Sequence, residues 1–144
     1  MPAPKKSKVV ELFWKVHPWL YKASGGRVGG RLVGMSVLLL TCTGRKSGQP
    51  RERPLTYIPS GAAFVVIASY LGEPHHPDWY HNLKAHPDAS VRVGRADIRV
   101  RAREAIGEER ARLWAEVVRV NPDYDEYQSR TKRKIPVVLL EPRA

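Results

Sequence analysis

Within residues 96–105 Ile98, Val100 and Ala102 alternate with Arg99, Arg101 and Arg103. Successive side chains of a strand point to opposite faces, so this segment rests only where one face is buried and the other is in water. A helix of the same residues would spread its arginines around its circumference. The Gly94-Arg95 turn and residues 89–93 supply the partner arm of a hairpin. The rest of the chain has the same grain. Residues 33–43 read as a first strand, 44–49 as a turn, 51–58 as a second strand, Pro59-Ser60-Gly61 as another turn, and 62–69 as a third strand rich in Val and Ile. Residues 135–140 form the last strand.

Helices fill the gaps. Pro77 and Asp78 suit a helix's first turn, Pro87 ends that helix after His86, and residues 108–120 carry an apolar side of Leu113, Trp114, Val117 and Val118 behind an acidic start. Asn121-Pro122-Asp123 then restarts a helix, with Asn as cap and Pro in the first position. The order β-β-β-α-β-β-α-α-β has hairpins in place of βαβ crossovers. It predicts an α+β fold that is mainly β, an antiparallel barrel with peripheral helices, over a doubly wound sheet.

Residues 1–32 stand apart as a basic amphipathic helical segment, with Phe13, Trp14, Trp19 and Tyr21 at roughly helical spacing among Lys8, Lys15 and Lys22, and Pro18 splitting it in two. Four glycines, Gly25, Gly26, Gly29 and Gly30, mark a joint, and residues 33–144 form the compact domain.

Charge narrows the function. The chain has 25 Lys plus Arg against 14 Asp plus Glu, a net charge of +11, which calls for a polyanionic partner: nucleic acid, an anionic membrane surface or a multiply charged cofactor. Cys42 is the single cysteine, so an intrachain disulfide and a cysteine metal cluster are both excluded. The longest apolar run is too short to span a bilayer and no signal peptide pattern opens the chain, so a cytoplasmic home is expected.

Three segments can carry chemistry. The first, Thr43-Gly44-Arg45-Lys46-Ser47-Gly48-Gln49-Pro50-Arg51, runs from a strand into a turn whose backbone N–H groups can converge on an anion while Lys46 and Arg51 supply charge. It lacks the Walker pattern, and a solvated hairpin turn would use the same residue types. The second, Ile67-Ala68-Ser69-Tyr70-Leu71-Gly72, ends a strand in small residues that let a flat ring approach, and the aromatic helix bearing Trp79 and Asn82 follows. Trp79 also suits plain anchoring of that helix. The histidines His75, His76, His81 and His86 lack zinc spacing, so no metal is expected, and no nucleophile elbow surrounds Ser69. The third is Tyr124, Tyr127 and Thr131, spaced to share one face of the last helix, as a site wall or a packed aromatic face.

Taken in order, Thr43-Gly44-Arg45-Lys46-Ser47-Gly48-Gln49-Pro50-Arg51, Pro54-Leu55, Ala68-Ser69-Tyr70-x-Gly72, Pro77-x-Trp79-Tyr80-His81-Asn82-Leu83 and Tyr124-x-x-Tyr127-Gln128-x-Arg130-Thr131 with Ile135-Pro136-Val137 closely resemble the deazaflavin-dependent nitroreductase family over roughly residues 33–142. The resemblance implies a split β-barrel, coenzyme F420 as hydride donor, and a nitro compound or a menaquinone-like quinone as acceptor. It implies that Thr43, Gly44, Arg45, Lys46, Ser47, Gly48, Gln49 and Arg51 hold the cofactor's phosphate and oligoglutamate tail. Pro54, Ile67, Ala68, Ser69 and Tyr70 would bound the deazaflavin ring, and Trp79 with Asn82 would close the site. Tyr57, Tyr124, Tyr127 and Thr131 would face the substrate, with Tyr127, Tyr124 or Ser69 meeting charge that develops on the acceptor oxygen. Some members carry a further tyrosine near Asn121, a departure that bears on bulky nitroimidazoles more than on quinones.

Two rivals compete with this reading. An FMN-dependent oxidoreductase on the same barrel would also want an anion turn, and a nucleic-acid-binding module could use Arg92, Arg95, Arg99, Arg101 and Arg103, although no binding motif accompanies them. The N-terminal lysines and tryptophans suit peripheral contact with the inner face of the cell membrane, and equally suit packing on the barrel or across a homodimer.

Overall fold

The structure, a computed structural model, describes residues 17–19, 21–23, 31–32 and 35–143. Its strands are β1 (Arg31–Leu32), β2 (Met35–Thr43), β3 (Pro50–Ser60), β4 (Ala63–Ile67), β5 (Asp88–Val93), β6 (Ala96–Glu104) and β7 (Val137–Pro142). Helices α1 (Asp78–Ala85), α2 (Gly107–Val120) and α3 (Asp123–Ser129) join them, with a short 3-10 turn at Tyr70–Gly72. All pairings are antiparallel, and the order β2-β3-β4-β7-β6-β5 closes on itself through β2–β5 to make a six-stranded barrel. The α+β barrel expected from the hairpin order is the fold observed.

Alternation along the strands builds two cores. Leu38, Leu40, Cys42, Val66, Ala68, Val91, Val100, Val138 and Leu140 pack into one cluster, to which α1 adds Trp79, Tyr80 and Leu83. Val65, Ile67, Val137 and Leu139 alternate with these and pack in the second cluster with Leu113 and Val117 of α2 and Tyr124 and Tyr127 of α3. Strand β2 is buried on both faces: Val37 and Leu39 pack against Tyr21, whose hydroxyl accepts from the Gly94 N–H at 2.7 Å and donates to the Arg92 carbonyl at 3.4 Å. Residues 17–19 and 21–23 are helical, and Pro18, where a division is expected, lies inside the first of these helical stretches; the remainder of the expected N-terminal helices lies outside the described residues.

Several element ends differ from expectation; the second strand runs on through Pro59 to Ser60, where a turn is expected, and the last strand runs to Pro142. The first strand is described from Met35, and the short strand Arg31–Leu32 pairs back onto it. The third strand stops at Ile67: opposite Ala68 stands Pro136, which accepts the Ala68 N–H at 3.0 Å but has no N–H to return, and the chain then enters left-handed conformations at Tyr70 and Leu71. The last strand starts at Val137, since Ile135 gives its N–H to Gln128 Oε1 at 3.0 Å and Pro136 has none to give. Helix α3 ends at Ser129, so Thr131 lies beyond it and does not continue the Tyr124–Tyr127 face. Asn121 does cap that helix: its Oδ1 accepts the Asp123 N–H at 3.1 Å.

Candidate functional site

The turn between β2 and β3 is fixed from within. The Gly44 N–H donates to the Gln49 carbonyl and the Gly48 N–H to the Gly44 carbonyl, both at 2.8 Å. Ser47 Oγ accepts from the Gln49 N–H and from Arg51 Nη2, each at 3.1 Å. Glycine is required at position 44, where a Cβ would stand 2.6 Å from Ser47 Oγ and 3.2 Å from the Gln49 carbonyl. Helix α1 holds the other side, with Asn82 Oδ1 accepting from the Arg45 N–H at 3.1 Å and from Arg45 Nη1 at 2.9 Å, and Asp78 pairing with the same guanidinium at 3.3 Å. The N–H groups of Gly44, Arg45, Gly48 and Gln49 are therefore spent internally. Of the N–H groups expected to converge on an anion, these four are engaged within the protein.

The side chains of the turn face an open cleft of about 350 Å³ walled by Gly44, Arg45, Lys46, Ser47, Arg51, Trp79 and Asn82, all expected, and by Cys42, Glu52, Arg53 and Asp78, which were not. Arg45 is neutralised by Asp78, and Glu52 by Lys22 at 2.6 Å. Among the described residues Lys46, Arg51 and Arg53 have no carboxylate partner, which leaves a rigid turn with three unneutralised cations at the cleft. Burial pushes the Cys42 thiol above its ordinary range, against a smaller opposing pull from Asn82, so it stays protonated at neutral pH. Thr43 and Gly48 line a shallower groove on the other side of the turn with Arg99 and Arg143.

The expected ring-bounding residues lie elsewhere than these walls. Pro54 is buried in β3 opposite Leu39, Ala68 is fully buried, and Ser69 is buried at the start of the turn that follows β4. That turn is held by Arg133, a residue the sequence reading passed over. Its guanidinium donates to the carbonyls of Ala68 at 3.0 Å, Ser69 at 2.7 Å and Glu73 at 3.0 Å, and to His76 Nδ1 at 2.9 Å. Desolvation first, then the Arg133 charge, lowers the His76 pKa, which suits a neutral ring accepting that hydrogen bond.

Tyr124 and Tyr127 share a face as expected, with rings edge-on at 5.7 Å, but both are 5% exposed and sit in the core beneath α2. The Tyr124 hydroxyl meets Thr56 Oγ1 on β3 at 2.9 Å. Burial raises the Tyr127 pKa well above the usual phenol range, so its hydroxyl is protonated at neutral pH. Tyr57 is half-buried with its ring edge-on to Phe64 at 5.3 Å, and Thr131 Oγ1 accepts from the Arg133 N–H at 3.4 Å. None of these four lines the basic cleft.

The arginines considered for nucleic acid are mostly engaged. Arg92 pairs with Asp97 at 3.2 Å, Arg101 with Asp88 at 2.9 Å, and Arg103 with Glu109 and Glu141 at 2.6 and 2.8 Å. Among the described residues no helix is long and apolar enough to cross a membrane, and no group of three or more His, Cys, Asp or Glu side chains is placed to hold a metal ion.

The chain is similar to known proteins in sequence and in fold. Residues 13–142 match the model of a family described as F420H(2)-dependent quinone reductase. An F420H(2)-dependent quinone reductase of Mycobacterium tuberculosis strain H37Rv is 44% identical over 133 residues, 90% of this chain and 89% of that protein. Among solved structures, an F420-H2 dependent reductase superposes with a TM-score of 0.67 at 42% identity, over 73% of this chain and 93% of that one. A protein described as a domain-swapped dimer superposes with a TM-score of 0.71 at 35% identity, over 94% of this chain and all of the other.

Proposed function

Because the chain belongs to the F420H(2)-dependent quinone reductase family, we propose that it takes a hydride from reduced coenzyme F420 and delivers it to a menaquinone-like quinone, with nitro compounds as a second acceptor class. The observation that carries this reading is the rigid β2–β3 turn with Lys46, Arg51 and Arg53 unneutralised beside the cleft, a donor set that fits a tail of phosphate and carboxylates. The bound deazaflavin supplies the hydride. The protein's part is orientation, exclusion of water and a proton. Lys46 and Arg51, braced by Ser47, hold the tail; Pro54, Ile67, Ala68, Ser69 and Tyr70 bound the ring; Trp79 closes one side. Tyr127, whose pKa burial raises, serves as a hydrogen-bond donor to the acceptor oxygen rather than as its acid, while the Tyr124 hydroxyl already meets Thr56.

Assembly and location extend the proposal. A homodimer is supported by the domain-swapped dimer to which the chain is similar. Peripheral contact with an anionic membrane at the cytoplasmic face is supported by Trp19, 69% exposed beside the buried Tyr21, and by the lysines of the same segment.

The test offers reduced F420, FMN and duplex DNA to the purified protein in parallel, with menadione as acceptor. Saturable binding of F420 alone, and oxidation of F420H2 that depends on both protein and menadione, is the expected result. Preferential retention of FMN, or DNA binding with no F420H2 oxidation, overturns it.

A further inference from the structure

The segment after β4 is strained. Tyr70 and Leu71, neither of them glycine, have φ of 46° and 54°, and Gly72 follows at 78°. Left-handed backbone at ordinary residues is unfavourable and persists only where the surroundings over-determine it. Here they do. Two hydrogen bonds close the turn on itself, Gly72 N–H to the Ser69 carbonyl at 2.9 Å and Glu73 N–H to the Tyr70 carbonyl at 3.0 Å. Two arginines hold the carbonyls around it: Arg130 Nη1 donates to Leu71 at 3.3 Å, and Arg133 takes Ala68, Glu73 and Ser69 together, the Ser69 carbonyl accepting from Gly72 as well. Gly72 lies so close to α3 that a Cβ there would stand 2.9 Å from the Tyr127 carbonyl.

We propose that Arg133 is a positioning residue of the site, a guanidinium clamp that fixes the strained turn 69–72, and so sets Ala68 and Ser69 against the ring and keeps them in register with Tyr127. The inference rests on the proposed function for the identity of the ring. The choice of residue follows from geometry. One planar fork reaches four acceptors at fixed angles, which a lysine's single ammonium cannot do. All four acceptors are neutral, and among the described residues no carboxylate pairs with Arg133. The desolvated charge is thus spent on backbone carbonyls and one imidazole, an arrangement suited to holding a loop rather than to docking one surface on another.

The test uses full-length Arg133→Lys, Arg133→Gln and Gly72→Ala, the last pushing the turn from its other side. Amide hydrogen exchange of the cofactor-free protein is expected to rise about tenfold over residues 68–76 in the Arg133 variants, with the β5–β6 hairpin unchanged as a control for folding. F420 affinity, read by fluorescence, should fall by less than the single-turnover rate does, because the tail contacts of the β2–β3 turn are intact. Single-turnover oxidation of bound F420H2 by menadione should slow about ten- to a hundredfold in all three variants. Arg133→Lys at the wild-type rate, or unaltered exchange in the Arg133 variants, overturns the clamp. A wild type that oxidises no F420H2 instead removes the proposed function and the catalytic half of this inference, while the exchange result still decides whether Arg133 holds the turn.

Discussion

The β5–β6 hairpin and the β2–β3 turn are built from the same residue types and use them in opposite ways. In the hairpin Arg92, Arg101 and Arg103 each meet a carboxylate between 2.6 and 3.2 Å. In the turn and the start of β3 that follows it, Lys46, Arg51 and Arg53 meet none among the described residues. Exposed pairs contribute little to stability, so the hairpin's carboxylates matter chiefly because they cancel the field of its arginines. Arg95 and Arg99 of the same hairpin meet no carboxylate among the described residues, so pairing weakens the hairpin's field without removing it, whereas none of the three cations beside the cleft is paired. A net charge of +11 asks for a polyanion, but only the pairing pattern says where it goes.

The sharpest way to break this comparison is to remove the unpaired cations. Lys46→Ala and Arg51→Ala should each weaken F420 binding by about 1–3 kcal/mol, the scale of a charge-assisted contact. Salt should weaken the wild type more than either variant, since each variant has one fewer screened attraction to lose. Equal affinities across all three proteins would mean that the turn is merely solvated, and the contrast with the hairpin would lose its functional meaning.

A smaller effect is expected where the turn is braced rather than charged. Asn82→Ala removes two acceptor contacts to Arg45 from a side chain that is 5% exposed, and should cost about 1–2 kcal/mol of stability in thermal or denaturant unfolding. F420 affinity should fall by less than about tenfold, because the cations remain and only their preorganisation suffers. An Asn82 variant that binds worse than Lys46→Ala would reverse that ranking and make Asn82 a direct contact of the cofactor.

How much of this was legible beforehand depends on the range of the interaction. Alternation named the strands because burial of one face is recorded at every second residue, and the glycines, Ser47 and the cations marked the turn. The strand ends were misjudged where tertiary partners take the N–H: Ile135 reads as strand, but its N–H belongs to Gln128. Nothing in Ser69-Tyr70-Leu71 announces left-handed backbone, since the conformation is imposed by Arg130 and Arg133. Within Lys132-Arg133-Lys134 the three cations look alike in sequence, although Lys132 and Lys134 are exposed and Arg133 is the clamp. The shared face of Tyr124 and Tyr127 was readable, whereas the end of α3 at Ser129, which drops Thr131 from it, was not.

The smallest effects are expected in the hairpin, and they are a fair test because a negative result there is informative. The Arg103 guanidinium holds the Glu109 carboxyl below its ordinary value through a hydrogen bond and charge. A carboxylate whose folded pKa is depressed contributes stability above its unfolded value and loses it as the pH falls through the folded one. Carboxyl NMR should therefore show Glu109 titrating below the usual glutamate range in the wild type and moving back toward it in Arg103→Ala. Arg101→Ala, at an exposed pair with Asp88, should change stability by no more than about 0.5 kcal/mol. Neither substitution should alter F420 affinity. If Arg101→Ala or Arg103→Ala weakened F420 binding as much as Lys46→Ala does, the hairpin's ion pairs would have to open for ligand. The two regions would then form one binding surface, and the division drawn from their pairing would fail.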